Sequence, residues 1–213
     1  MTRRILATRD AGWARVCARR LARAGVKPNT VSVVGVGFAL CTFGAFCLAP
    51  GVPRGARIVV LLLAAASIQL RLLCNLLDGM LAVEEGLKTT AGEIYNDLPD
   101  RISDVIILAG AGYSIGSLPP GATLGWIAAS LAVFTAYVRQ LGGSLGVSQP
   151  FVGPMAKQHR MFTLTVATLL SAVEAAGGLP PIAIRTGLAA IAVGSIVTII
   201  RRTRIIAGEV GAR

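Results

Sequence analysis

The sequence has few of the residues on which several common kinds of site depend. Its 213 residues include one histidine, His159, and four cysteines without Cys-x-x-Cys spacing. Zinc sites and disulfide frameworks need clustered cysteine or histidine side chains, so neither is indicated. We interpret His159 as a packing or hydrogen-bonding residue at the membrane interface.

Acidic residues are also scarce, and they are unevenly placed. Ten Asp and Glu accompany 21 Lys and Arg, for a formal net charge of +11, and seven of those ten acids lie between positions 75 and 104. Strongly basic chains often bind nucleic acid. Here, however, a cytoplasmic N-terminus would leave only Arg54, Arg57 and Arg185 in loops outside the membrane, as the positive-inside rule requires. We therefore predict a plasma (inner) membrane protein with cytoplasmic termini and no nucleic-acid partner.

Apolar residues are abundant, at 54% of the chain with a mean hydropathy of +0.70. Six apolar segments approach the roughly 20 residues that cross a bilayer as a helix, and no alternating strand pattern accompanies them. These segments are residues 30–48, 57–77, 102–118, 121–138, 162–179 and 182–200. The sequence predicts an all-α polytopic membrane protein, with one domain over 1–213 and a six-helix bundle over 30–201.

Residues 10–24 predict an amphipathic helix before the first span. Asp10 can cap it, and Trp13 and Val16 lie on a different side from its arginines. An aromatic and aliphatic side opposite arginines is typical of a helix that lies in the membrane interface. We expect this helix on the cytoplasmic leaflet.

Two polar stripes fall at the ends of the second and third spans. Helical spacing puts one set of residues on a single face of the second helix: Asn75, Asp78, Gly79 and Ala82. It puts another set on a single face of the third helix: Gly92, Asn96 and Asp100. Charged groups at this depth need partners, and the neighbouring sequence offers too few cations to neutralise them. Carboxylate and amide oxygens suit Mg²⁺ or Mn²⁺. A divalent-metal site at the inner leaflet is therefore predicted.

This stretch resembles the signature of the CDP-alcohol phosphotransferases, DxxDGxxAR, eight residues, then GxxxDxxxD. The chain has NxxDGxxAV, eight residues, then GxxxNxxxD, with every spacing kept. PNTVSVVG at 28–35 also resembles the opening of the family's first span, and the usual six spans would cover nearly the whole chain.

The resemblance implies transfer of a substituted phosphate from a CDP-alcohol, such as CDP-diacylglycerol, to a second alcohol, with release of CMP. It implies Mg²⁺ or Mn²⁺, one or two ions, as cofactor. Asp100 would be the base, and the residues implied in binding are Asn75, Asp78, Asn96 and Asp100 for the metal and Asp78, Gly79, Ala82 and Gly92 for CDP. A homodimer is a further expectation from the family.

Three departures from the signature remove charge: Asn75 and Asn96 replace Asp, and Val83 replaces Arg. Lys88 or Arg101 could replace the missing arginine beside phosphate. A catalytically silent member that binds nucleotide or lipid, or a cation-coupled transporter, remains an alternative.

The remaining charged residues divide between acceptor binding and solvation. Arg139, Lys157 and Arg160 are candidates for binding a small polar or phosphorylated acceptor alcohol, although the positive-inside pattern explains them equally well. We assign Asp97 and Asp104 to a solvated helix end. The same two explanations apply to the arginines that end the last span, which could simply meet anionic lipid headgroups: Arg201, Arg202 and Arg204.

Overall fold

The computed structural model describes residues 12–83, 86, 92–115, 121–147 and 152–212. Within these ranges the regular structure is helical and no strand occurs, which confirms the all-α prediction. The α-helices are α1 (Gly12–Arg23), α2 (Pro28–Leu48), α3 (Arg54–Val83), α4 (Gly92–Tyr113), α5 (Gly121–Ser144), α6 (Lys157–Gly177) and α7 (Ile182–Gly211). A short 3-10 turn, Ala49–Gly51, follows α2.

Four helical segments are long and apolar enough to cross a membrane: Pro28–Gly51, Arg54–Val83, Gly121–Ser144 and Ile182–Gly211. This architecture agrees with a polytopic membrane protein. Helix α4 carries Asp97, Asp100, Arg101 and Asp104 among its first 13 residues, which lowers its hydropathy. That α4 and α6 also cross the membrane stays a prediction.

The long helices pack in a cyclic order, α2, α3, α6, α7, α5, α4 and back to α2. Their core consists largely of Ala, Leu and Ile, with Phe46 and Met161 fully buried. Helices α4 and α5 cross closely, because a Cβ added at Gly112 would lie 2.7 Å from the Gly121 carbonyl oxygen. Small residues of this kind allow helix backbones to approach in membrane bundles.

Helix α1 begins and ends within the predicted 10–24 segment, and it packs against α3. Ala14 and Ala18 are buried beside Leu77 and Leu81 of α3, whereas Trp13 is exposed. The contact with protein therefore uses a narrow face of small residues, which the amphipathic pattern did not predict. The location of α1 in a membrane interface stays a prediction.

Candidate active site

Asn75 and Asp78 of α3 meet Asp100 of α4 at a small pocket, partly open to solvent, between α2, α3 and α4. On α3, the lining residues follow the helical repeat from Arg71 through Asn75 to Asp78. On α4, Asp100 faces them. The cavity is also lined by Ser32, Gly35, Cys74, Pro99 and Ser103.

Asp78 lies deep in this cavity and is 4% exposed. The Ser32 hydroxyl of α2 donates a hydrogen bond of 2.6 Å to Asp78 Oδ2. Asp78 Oδ1 is buried and has no hydrogen-bond partner among the described residues. An unpaired buried carboxylate oxygen costs free energy, so this atom is suited to receive a ligand of positive charge.

Asp100 is contacted by donors at both carboxylate oxygens. Asn75 Nδ2 donates to Oδ1 at 2.8 Å, and Arg71 Nη2 donates to the same oxygen at 3.0 Å. Arg71 Nη2 also reaches the Asp100 backbone carbonyl at 3.0 Å. Lys157, the first residue of α6, forms an ion pair with Asp100 Oδ2. The predicted base is thus held by three side chains from two helices.

Asp104 is buried, so our assignment of this residue to a solvated helix end was wrong. It is 1% exposed and lies one turn beyond Asp100. Arg160 Nη2 donates to its Oδ2 at 2.9 Å, and Arg71 Nη2 lies 3.5 Å from its Oδ1. A carboxylate is buried at this depth because two guanidinium groups stabilise its charge.

The site therefore carries its own positive charge, contrary to the prediction that it lacks internal cations. Arg71, Lys157 and Arg160 balance the three acids Asp78, Asp100 and Asp104. Lys157 lies before the predicted span 162–179. Its burial, and to a smaller extent the neighbouring charge of Arg71, lower the pKa of its ammonium group to about 8, although Asp100 and Asp104 act to raise it. The cations come from α3 and α6, so they are distant in sequence from the acids of α4.

The other predicted binding residues lie around this centre. Arg160 also donates to Thr135 Oγ1 at 3.0 Å and to the Met155 carbonyl at 2.9 Å, so it is bound on several sides. Arg139 lies 3.3 Å from Asp97 Oδ1. Asp97 is also paired with Arg101 at 2.6 Å, which places Arg101 away from the cavity.

The structure leaves some predicted residues without a defined role. Gly79 and Ala82 are half-buried on α3 and Gly92 begins α4, but none is among the residues that line the cavity. Asn96 lies on α4 one turn before Asp100, and its side chain is outside the described part of the structure. Lys88 also lies outside the described residues.

Three polar residues at the site were not predicted from the sequence. Arg71 and Ser32 line the cavity, and Arg202 is buried where its Nη1 donates to the Thr135 carbonyl at 2.6 Å and its Nε to the Val152 carbonyl at 3.0 Å. Of the two explanations left open for Arg202, the structure thus shows neither, because its described contacts are with protein carbonyls. Arg71 could have been found, because it stands four residues before Asn75 on the same helical face.

The described side chains that line the cavity offer a divalent cation one buried, unpartnered carboxylate oxygen, at Asp78. No group of three His, Cys, Asp or Glu side chains in the described ranges is arranged to hold a metal. Among the residues that line the cavity, Asp78 presents a buried carboxylate oxygen without a hydrogen-bond partner, while Asp100 is already contacted by Arg71, Asn75 and Lys157. The fit is thus for an ion centred on Asp78.

The fold and the site together define a polytopic helical bundle with an acid and guanidinium cluster at helix ends. The chain shares this fold with phosphatidylinositol phosphate synthase of Mycobacterium tuberculosis. Against the form in complex with manganese and citrate, the TM-score is 0.74 at 21% identity, with 91% of this chain and 88% of that chain covered. Against the form with CDP-DAG bound, the TM-score is 0.75 at 21% identity, with 92% and 94% covered.

These neighbours belong to the CDP-alcohol phosphotransferases, so the resemblance predicted from the motif is confirmed at the level of the fold. The same enzyme without ligand matches with a TM-score of 0.71 at 22% identity. No protein-family model matches the chain, and no curated protein matches it in sequence.

Proposed function

We propose that the chain is a CDP-alcohol phosphotransferase of phospholipid biosynthesis. It transfers the substituted phosphate of a CDP-alcohol, such as CDP-diacylglycerol, to the hydroxyl of a second alcohol and releases CMP. The observation that carries this proposal is the meeting of Asp78 and Asp100 at one cavity, in a fold shared with an enzyme solved with CDP-DAG bound.

A divalent cation, Mg²⁺ or Mn²⁺, completes the site, with Asn75, Asp78, Asn96 and Asp100 as its candidate ligands. The neighbouring enzyme was solved in complex with manganese. Such an ion supplies charge neutralisation for a pyrophosphate. Asp78 Oδ1 is the oxygen best placed for this role, because it is buried and unpartnered. We keep Gly79, Ala82 and Gly92 as candidates for the CDP side of the site.

In the reaction, the acceptor oxygen forms a new bond to the phosphorus and the bond from that phosphorus to the CMP oxygen breaks. Asp100 takes the proton of the acceptor hydroxyl. Its Oδ2 is held by Lys157 alone among the described side chains, so the hydroxyl reaches this oxygen by displacing the ammonium. Lys157 then stays beside the reacting phosphate and stabilises its negative charge.

The acceptor approaches from the side of α5 and α6. On that side Lys157 is paired with Asp100, Arg139 with Asp97 and Arg160 with Asp104. A phosphorylated alcohol suits this group of cations better than an uncharged one. The protein would lie in the plasma membrane with its site and both termini cytoplasmic, and it would have six spans and an interfacial α1. A homodimer is part of this proposal.

The test is release of CMP by the purified protein in detergent, with Mn²⁺ or Mg²⁺, CDP-diacylglycerol and a panel of alcohols and their phosphates. Asp100→Asn should abolish turnover, because the amide cannot take the proton, while metal-dependent binding of CDP persists. Glu174→Gln is the control, since this carboxylate contacts Ser171 and the Ala183 backbone, away from the cavity. Equal turnover in Asp100→Asn and wild type would refute the assignment of the base.

A catalytically silent member that binds nucleotide or lipid is the second candidate. The observation that favours it is the contact of both Asp100 oxygens with donors, which leaves neither oxygen free in the described structure. Metal-dependent CDP binding, without CMP release for any acceptor, would identify this function.

A further inference from the structure

The position of Arg71 bears on how many cations the site takes. Its side chain is 2% exposed and Nη2 lies 3.0 Å from Asp100 Oδ1 and 3.5 Å from Asp104 Oδ1. Divalent cations in proteins bind carboxylate oxygens of this kind. The guanidinium thus already supplies positive charge where a second ion would need these acids.

Asn75 is a second donor to the same oxygen of Asp100. It directs its amide nitrogen, and not a negative oxygen, at Asp100 Oδ1, at 2.8 Å. A donor at this distance occupies the side of the carboxylate that faces α3. Asn75 and Arg71 stand four residues apart, so the two donors act together on one oxygen of Asp100.

The cavity also has two buried polar atoms without partners, and they are opposite in charge. Asp78 Oδ1 accepts no hydrogen bond and Arg71 Nη1 donates none among the described residues, yet both side chains line the same space. A single small cation would not satisfy both. A cation at Asp78 together with a phosphate oxygen at Arg71 would satisfy each with a ligand of opposite charge.

We propose that Arg71 acts as a built-in cation, so that the site binds one divalent ion, at Asp78, and uses the free Nη1 of Arg71 for the pyrophosphate. This inference rests on the proposed function and adds the ion count and the phosphate contact. It also gives Arg71 the phosphate contact that the signature's arginine, replaced here by Val83, would make. Arg101 is already paired with Asp97, and Lys88 lies outside the described residues.

The test counts Mn²⁺ ions per chain by equilibrium dialysis and by electron paramagnetic resonance, on the full chain in detergent with CDP present. Wild type should bind one ion, with the spectrum of an isolated Mn²⁺. Asn75→Asp should still bind one, because Arg71 neutralises the added acid one turn away. Asn75→Asp combined with Arg71→Met should bind two, with a spectrum broadened by coupling between neighbouring ions. Arg101→Met combined with Asn75→Asp is the matched control and should bind one.

Two ions in wild type or in Asn75→Asp would overturn the proposal, as would one ion in the Arg71→Met combination when its helix content and monodispersity equal those of the control. No bound ion in wild type would also overturn it.

CDP should bind Arg71→Met at least tenfold more weakly than Arg101→Met, and equal affinity would refute the phosphate contact. Ion counting needs no turnover, so one bound ion without CMP release would end the proposed activity and leave this inference standing.

Discussion

Replacing Asp104 by Leu distinguishes a buried ion pair from a solvated helix end. The carboxylate is 1% exposed and bridges Arg160 at 2.9 Å and Arg71 at 3.5 Å. Its removal leaves two buried guanidinium groups without this partner, and breaking such a pair from one side costs about 3–5 kcal/mol. A surface substitution would cost within about 0.5 kcal/mol.

The matched variant is Asp97→Leu, which removes an acid of the same helix that is 36% exposed. Pairs this accessible contribute about 0.2–1 kcal/mol after screening by solvent. With about 2–4 °C of Tm per kcal/mol for a chain of this size, Asp104→Leu should lower Tm by about 6–20 °C and Asp97→Leu by less than about 4 °C. Differential scanning fluorimetry in one detergent measures both.

A double-mutant cycle tests whether the loss of stability comes from the Asp104–Arg160 ion pair. Combining Asp104→Leu with Arg160→Met removes both charges, so the double variant should be more stable than the sum of the single effects predicts. The reasoning is refuted if Asp104→Leu shifts Tm no more than Asp97→Leu does. Additive effects in the double variant would instead place the loss outside the Asp104–Arg160 contact.

Three further predictions concern the cavity and the bundle. Ser32→Ala removes the 2.6 Å hydrogen bond to Asp78, worth about 1.5–3 kcal/mol for a charged acceptor, so it should lower Tm; an unchanged Tm would contradict the contact. Gly112→Ala places a methyl group 2.8 Å from Gly125 Cα and should cost about 1–3 kcal/mol in unfolding, whereas Gly37→Ala meets nothing within 4 Å and should leave Tm within about 2 °C. Chelation of divalent ions should stop CMP release and added Mn²⁺ should restore it; full activity after chelation would exclude the metal role.

The sequence predicted the helices and the register of the acids better than their partners. Hydropathy and periodicity are local properties, so the two polar stripes beside the second and third spans were expected to be helical, and α3 and α4 contain them. The partners of Asp100 depend on packing between α3, α4 and α6, which no local pattern encodes. Lys157 is 57 positions away in sequence, and only the folded bundle brings it to Asp100.

The burial of Asp104 also could not be predicted from the local sequence. A carboxylate at a helix end is usually solvated, and without its two arginines Asp104 would be as well. The spacing of Asn96, Asp100 and Asp104 already put all three on one face, so the stripe was evidence for a shared environment. What the spacing lacked was the information that Arg71 and Arg160 lie opposite that face.

The links from Asp100 to Lys157 and from Asp104 to Arg160 join two parts of the bundle that carry different residues. Helices α2 to α4 hold the acids and the cavity, whereas α5 to α7 hold Thr135, Arg160 and Arg202. Under the proposed function, substitutions on the second part would change which alcohol is accepted without rebuilding the part that would bind the nucleotide. On that proposal, relatives of this chain could diversify their products while their donor chemistry stays constant.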